Sequence, residues 1–355
     1  MSTLSELIGG GGGGSEIVRV NRTSNTVLGV ANLGNLINIT SGTFTQTFDA
    51  AATLGSGWFC YIRNSGSGDI TLNPNASETI DGLTSYAMYP GEERLVQCDG
   101  TDFVTVLLSG FLLVIDSTKT FTKPPGYSAF SGYLWGAGGS GGKRAQAGGG
   151  GGGACVPFSL HSSFLSASEV ITIGAGGAGV TTTATDGING GNSTFGSLFT
   201  AYGGAGGQGV QNLAGPGGPG GGWFEAGVTS TSISSAWGGG PLIDVDGVNG
   251  RATQIYGGGR GTQTYAPVFQ TIYGGAGGAG GSSSFGNSSI YGGGGGGPGY
   301  NSSGGSSIFG GDGGAGSGSS SGSPGSVPGG GGGSTESGAT TGAGGGGRCV
   351  IWGLI

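Results

Sequence analysis

Histidine is almost missing from this chain, with His161 alone among 355 residues, and charge is scarce, Lys, Arg, Asp and Glu together making up 8%. An ordinary hydrolase or dehydrogenase gathers several titratable groups in one cleft, so the expectation is a protein that is not an enzyme. Basic residues never cluster beyond the pair Lys143-Arg144, and the net charge is −7. That removes the electrostatic footprint of a nucleic-acid binder. Long apolar runs are also lacking. The longest, Phe111 to Ile115 with Leu107-Leu108 just before it, falls far short of the ~20 residues of a membrane helix. The N-terminus, MSTLSELIGGGGGG, has neither the basic start nor the apolar centre of a secretory leader. The 12 prolines are too few for collagen, and runs such as Gly148 to Gly153 break any triplet frame. Cys60, Cys98, Cys155 and Cys349 show no CxxC spacing and no nearby His pair, so neither metal nor cofactor is expected. They read as buried thiols, with the pairs Cys60–Cys98 and Cys155–Cys349 left open.

What the chain has is glycine. Of 95 glycines, 18 lie before Ser131 and the other 77 after it. A flexible linker is the obvious rival reading. Against it stand large side chains spaced through the glycine: Trp135, Phe158, Phe195, Tyr202, Trp223, Trp237, Tyr256, Tyr273, Tyr291, Phe309 and Trp352. A pure spacer has no use for them.

Three segments follow from this patterning. Residues 1–15 pair a short amphipathic piece, with Leu4, Leu7 and Ile8 at helical spacing, with the joint Gly9 to Gly14. Such a piece suits docking into a larger body. Residues 16–116 alternate short apolar stretches with turn residues. Candidate strands are Ile17 to Val20, Thr43 to Phe48, Gly57 to Asn64, Asp69 to Asn73, Ser85 to Tyr89, Glu92 to Cys98 and Phe103 to Leu108. Turns at Asn73-Pro74-Asn75, Asp81-Gly82, Pro90-Gly91 and Asp99-Gly100 separate them, which predicts a small antiparallel sandwich or barrel. Residues 117–355 are the glycine-rich remainder.

The stretch GSGWFCYIRNSGSGDITLNPNASETIDG, followed by YPGEERLVQCDGTDFVTV, resembles a β module of bacteriophage fibre and tail proteins. From Phe121 on, a Phe-x-Lys-Pro lead, a strand ending in Trp135-Gly136-Ala137-Gly138-Gly139, long glycine tracts and the closing strand Arg348 to Trp352 resemble the glycine-rich C-terminal domains of phage tail fibres and adhesins. The resemblance implies a structural virion appendage that adsorbs to a host-cell polysaccharide or outer-membrane protein and is carried by other virion proteins. It also implies a homotrimer. The rival within that class is a head or tail decoration protein that recognises no receptor.

Internal repeats sharpen the reading of the third segment. GGNSTFGSLFTAYGGAGG at 190–207 and GGSSSFGNSSIYGGGGGG at 280–297 share one order of residues, GGSSIFGGDGGAG at 304–316 is a partial copy, and Ile255-Tyr256-Gly257 and Ile272-Tyr273-Gly274 are shorter ones. Repetition implies stacked structural units. A tract of glycines makes neither helix nor strand cheaply, but in a threefold extended helix its N–H and C=O groups point outward to neighbours. An all-β protein is therefore expected, a β module followed by packed polyglycine II helices flanked by strands. Contacts to a receptor then fall on glycine-poor insertions, Ala154 to Ile173, Trp223 to Trp237, Pro241 to Tyr256 and Thr262 to Tyr273. Their aromatics Trp223, Phe224, Trp237, Tyr265 and Phe269 are the candidate receptor-binding residues. An alternative role for these rings is to cap glycine layers.

Other chemistry is weaker. Serines near His161 suggest no triad, because serine is everywhere. Asp244 to Gly250 resembles the start of a calcium loop but lacks its closing Glu. Glu92 and Glu93 are adjacent, hence on opposite strand faces. Gly138 to Lys143 lacks the helix a phosphate loop needs.

Overall fold

The computed structural model describes residues 17–209, 215–228, 255–259, 270–281 and 285–355. The chain is all-β, and among the described residues the only α-helical stretch is the single turn Ala51–Leu54.

The first unit holds β1 (Arg19–Arg22), β2 (Leu36–Ile39), β3 (Phe44–Thr47), β4 (Phe59–Asn64), β5 (Ile70–Asn73), β6 (Tyr86–Met88), β7 (Glu93–Cys98) and β8 (Phe103–Ser109). One sheet has the order β1-β2-β4-β7-β8 and the other β3-β5-β6. Alternate residues face the core between them, as in β4, where Cys60, Ile62 and Asn64 are buried. The expected all-antiparallel arrangement is corrected here. β1–β2, β2–β4 and β3–β5 are parallel, and antiparallel pairing begins with β5–β6, β4–β7 and β7–β8. Parallel neighbours need a long return path, and the chain supplies it by crossing to the opposite sheet between successive strands. β2, unforeseen in the sequence, is a short apolar run in the middle of that path.

The second unit contains β9 (Leu112–Ile115), β10 (Lys119–Thr122), β11 (Ala129–Trp135), β12 (Cys155–His161), β13 (Ser168–Thr172), β14 (Ser193–Phe195), β15 (Phe199–Ala201), the short β16 (Gln270–Thr271) and β17 (Ser288–Ser289), and β18 (Arg348–Leu354). Its main sheet runs β12-β11-β18-β9 and faces β10-β13-β14-β15 across a core of Phe111, Phe121, Phe130, Leu134, Phe158, Phe195 and Ile351. Because β9 pairs with β18, residues 112–115 sit with this second core although they precede position 117. Ala154 to Ile173, expected as a loop insertion, supplies β12 and β13. Gly353 is required on β18 because a Cβ there would stand 2.1 Å from the Tyr127 ring.

The glycine tracts grow directly out of this sheet. β11 runs into 136–142, the chain turns at 143–147, and 148–154 returns into β12. Along 148–154 the hydrogen bonds step round with a period of three. Gly148, Gly151 and Ala154 donate to Gln208, Ala205 and Tyr202; Gly149 and Gly152 to Ala279 and Ala276; Gly150 and Gly153 to Gly332 and Gly329, all at 2.8–3.0 Å. The carbonyls of the same tract accept from Gly142 and Gly139, from Gly218 and Gly221, and from Gly296 and Gly293. One tract thus touches six others, which is the hexagonal packing of threefold polyglycine helices. A Cβ at any position from Gly148 to Gly153 would lie 2.1–2.2 Å from a neighbouring carbonyl oxygen. Ordering glycine costs about 1–2 kcal/mol per residue, and a hydrogen bond returns about 1 kcal/mol. A tract is therefore held by all its neighbours at once.

At the rim, every third residue carries a side chain. Ala175 and Ala178 face solvent while Gly174 and Gly177 are buried. On the tract 185–192 the side-chain oxygens of Asp186, Asn189 and Asn192 accept from Gly209, Gly206 and Gly203 at 2.7, 2.8 and 3.0 Å. Polar side chains there substitute for a further tract.

Candidate binding face: an aromatic ladder at the base of the lattice

Four Ile-aromatic-Gly triplets, at 255–257, 272–274, 290–292 and 308–310, recur every 17 or 18 residues, each where the chain turns at the sheet end of the lattice. Backbone bonds align them: Tyr273 N donates to Ile255 O, Tyr291 N to Ile272 O and Phe309 N to Ile290 O, at 2.8–2.9 Å. A hydroxyl precedes three of the triplets: Thr271 closes its own turn by donating to Gly274 O, while Ser289 and Ser307 tie to the preceding turn by donating to Gly274 O and Gly292 O. The rings must then stack, because identical turns are laid side by side.

They form a ladder. Centroid distances are 4.5 Å for Trp223–Tyr256, 6.0 Å for Tyr256–Tyr273, 4.9 Å for Tyr273–Tyr291 and 4.7 Å for Tyr291–Phe309, the last three pairs lying within 21° of parallel. Indoles anchor it to the sheet, Trp135 Nε1 donating to Tyr291 O (2.6 Å) and Trp223 Nε1 to Cys155 O (2.7 Å). Tyr133 on β11 stacks on Tyr291 at 6.0 Å and meets Trp352 of β18 at 5.9 Å. Removal from water by its stacked neighbours raises the Tyr273 phenol above its ordinary value.

The ladder continues onto the outer face of the main sheet. Register places Pro157, Tyr133, Val350 and Val114 in one cross-strand row and Ser159, Ser131, Trp352 and Leu112 in the next. Tyr256 is 45% exposed, Phe309 55%, Leu112 58% and Val114 50%. An antiparallel sheet face turned to water is usually polar, so this largely apolar face, interrupted by Ser131 and Ser159, is a candidate interaction surface.

Trp223, expected to contact a receptor, is the half-buried first rung of the ladder. Phe224 beside it points outward and is 61% exposed. Trp237, Tyr265 and Phe269 lie outside the described residues, as do Leu4, Leu7 and Ile8 and the stretch Asp244 to Gly250. Tyr256, Tyr273, Tyr291 and Phe309 belong to the sequence repeats but not to the residues expected to form the site. Their Ile-aromatic-Gly recurrence was the signal that they line up.

The remaining candidates have structural employment. His161 is exposed, and its Nδ1 lies 2.8 Å from Ser163 Oγ and accepts from Ser163 N, capping a 3-10 turn. Gly138 to Gly142 is a lattice tract, and Lys143 beyond it ties two turns together by donating to Thr181 O (2.6 Å) and Ala339 O (2.9 Å). Glu92 is buried and Glu93 is not, so the adjacent glutamates do face opposite ways. All four cysteines are free and buried. Cys155 and Cys349 lie on β12 and β18, either side of β11, too far apart to bridge. Cys60 faces Val96 rather than Cys98 across the β4–β7 ladder. Burial pushes the Cys349 thiol up to about 12 and raises Cys155 and Cys60 as well. Among the described residues no three His, Cys, Asp or Glu side chains come together as a metal site.

A glycine-rich domain family model matches residues 114–352, and the chain belongs to that family. No curated protein matches the chain.

Proposed function

We propose that this chain is a non-enzymatic structural component of a virion fibre or spike, located on the particle surface, that adsorbs the particle to a host cell. In this reading residues 1–15, with Leu4, Leu7 and Ile8, dock on other virion proteins, and several copies act together, as in a homotrimer. The receptor is a cell-surface polysaccharide or outer-membrane protein, no nucleic acid or cofactor takes part, and many weak contacts sum through multivalency.

One observation supports it above the others. The lattice separates a base from a tip: tracts of about seven residues at ~3.1 Å per residue carry the turns at 143–147, 181–185, 317–321 and 335–340 roughly 20 Å from the sheet. Bridges from Lys143 to Thr185 and Thr335, and from Ser317 to Thr335, hold these polar turns, three of them rich in Ser and Thr, side by side. A stiff frame presenting polar turns suits recognition better than catalysis. Trp237, Tyr265 and Phe269 are the side chains proposed to reach the receptor together with these turns, whereas Trp223, bonded to Cys155 O of β12, and its neighbour Phe224 sit at the base and are not placed to join them.

Antibodies raised against residues 114–352 test the reading by electron microscopy of particles and by an adsorption assay. Labelling of a particle appendage together with blocked adsorption is expected. Labelling without any block would favour a decoration protein, and no labelling of particles would overturn the virion assignment.

A further inference from the structure

We propose that the aromatic ladder and the outer face of the β12-β11-β18-β9 sheet together form a self-association surface whose occupant is a second copy of this chain. The inference stands independently of the virion reading, since it uses only the character of the face.

Three observations select that occupant. The first is size. Four strands spaced about 4.8 Å apart, joined through Tyr133 to four stacked rings and the tilted Trp223, cover an apolar area on the order of 500 Å². That equals the apolar core of a standard interface of roughly 800 Å² per partner.

The second is charge. Pro157, Tyr133, Val350, Val114, Trp352 and Leu112 carry none, and the nearest ions, Arg348 and Asp116, neutralise each other at 2.6 Å. The face therefore offers nothing to steer a basic or an acidic partner. Two copies of a chain of net charge −7 meet here without burying charge, and their long-range repulsion is screened within about 8 Å at physiological salt.

The third is ring geometry. A sugar binds an aromatic platform by lying on a free ring face. Tyr273 has Tyr256 on one side and Tyr291 on the other, and Tyr291 is likewise flanked by Tyr273 and Phe309. These inner rungs show solvent only their ring edges, and Phe309 at the end of the ladder has Tyr291 as its single stacked neighbour. Edges and flat aliphatic rows suit a second protein surface of the same relief, which another copy of the chain supplies.

Sedimentation velocity on the full chain from about 0.5 to 100 μM at 0.15 M salt reads the association. Reversible self-association is expected, weakened at least tenfold by Leu112→Glu and by Phe309→Glu and unchanged by Ile188→Ser, which alters an exposed apolar side chain on the lattice rim. The milder Leu112→Ser and Ile308→Ser, each at an exposed position, follow the same direction by a smaller factor, and near-UV circular dichroism reports that every variant is folded. A chain monomeric at every concentration would overturn the proposal. So would association that survives all of the face variants, or that Ile188→Ser alone abolishes.

Discussion

Arg94 in the first unit donates to the carbonyl oxygen of Pro125 in the second, 2.6 Å away, from a position that is 1% exposed. The same guanidinium donates from Nε to Glu92 (2.7 Å) and from its other terminal nitrogen to Thr105 Oγ1 (2.7 Å), and it lies over the rings of Tyr86 and Tyr127. Glu92 in turn accepts from Tyr86 Oη and from Tyr89 N. Tyr89 accepts from Thr122 N and donates to Thr122 O, a second crossing between the units. These links fasten the β module to the lattice base.

Breaking that latch is expected to be severe in one direction only. Arg94→Met leaves the Glu92 carboxyl group buried without its cation, and removing one partner of such a pair costs about 3–5 kcal/mol. Replacing both by Arg94→Met with Glu92→Gln should cost clearly less than the sum of the single losses. Urea denaturation of the four proteins of the cycle measures this, and additive losses would show that the two side chains act separately.

The lattice makes a sharper demand. Gly151→Ala puts a methyl 2.1 Å from Pro219 O, with backbone rather than a movable side chain in the way. Expansion of the packing at that point is expected to cost at least 3 kcal/mol or to prevent folding. Ala178→Ser, on the solvent side of a rim tract, is expected to stay within ~0.5 kcal/mol. Amide exchange completes the test: Gly148 to Gly153 and Gly292 to Gly297 should exchange far more slowly than in a free peptide. Exchange at the free rate would make the tracts linkers.

How far the sequence foretells this is decided by which residues carry a local signal. Strands β3 to β8 were legible because alternation and turn residues such as Asp81-Gly82 and Asp99-Gly100 act within a few positions. The parallel pairing of β1, β2 and β4 was not, since which strand lies beside which is set by crossings between sheets. Polyglycine packing was legible in outline: only a Cβ-free chain tolerates six backbone neighbours. The aromatic ladder was half legible. The repeat of Ile, aromatic and Gly is in the sequence, but that four turns 17 or 18 residues apart place their rings 4.7–6.0 Å from one another depends on the length of the tracts between them.

A rim prediction follows from the Asp186, Asn189, Asn192 series. Asn192→Leu keeps the branched shape and removes the oxygen that accepts from Gly203 N, so a donor is left facing a side chain that cannot take it. A loss of about 1–2 kcal/mol is expected, and Asn192→Asp, which keeps the acceptor, should lose much less. Equal losses from the two variants would mean that the side chain acts by packing alone.

The thiols give a pH dependence whose sign is fixed by burial. Cys349 is raised to about 12, and Cys155 and Cys60 are raised by the same desolvation, whereas an unfolded thiol ionises near 8.5. Above that value the unfolded chain releases protons that the folded chain keeps, so stability is fully present below about pH 8.5 and is lost as pH rises beyond it. Each thiol contributes a slope that is about 0.7 kcal/mol per pH unit at pH 8.5 and rises towards about 1.4 by pH 10. Urea denaturation at pH 8, 9 and 10 should show the decline, and Cys349→Ala should make it shallower by that amount. The window stops at pH 10 because Tyr89 and Tyr127, also raised by burial, add losses of the same sign once unfolded tyrosine ionises. Folded protein should likewise resist iodoacetamide at pH 8, and all four cysteines should react in urea. Rapid alkylation of Cys155 or Cys349 in the folded protein would show that the sheet at the lattice base opens to solvent, contrary to the burial on which the slope rests.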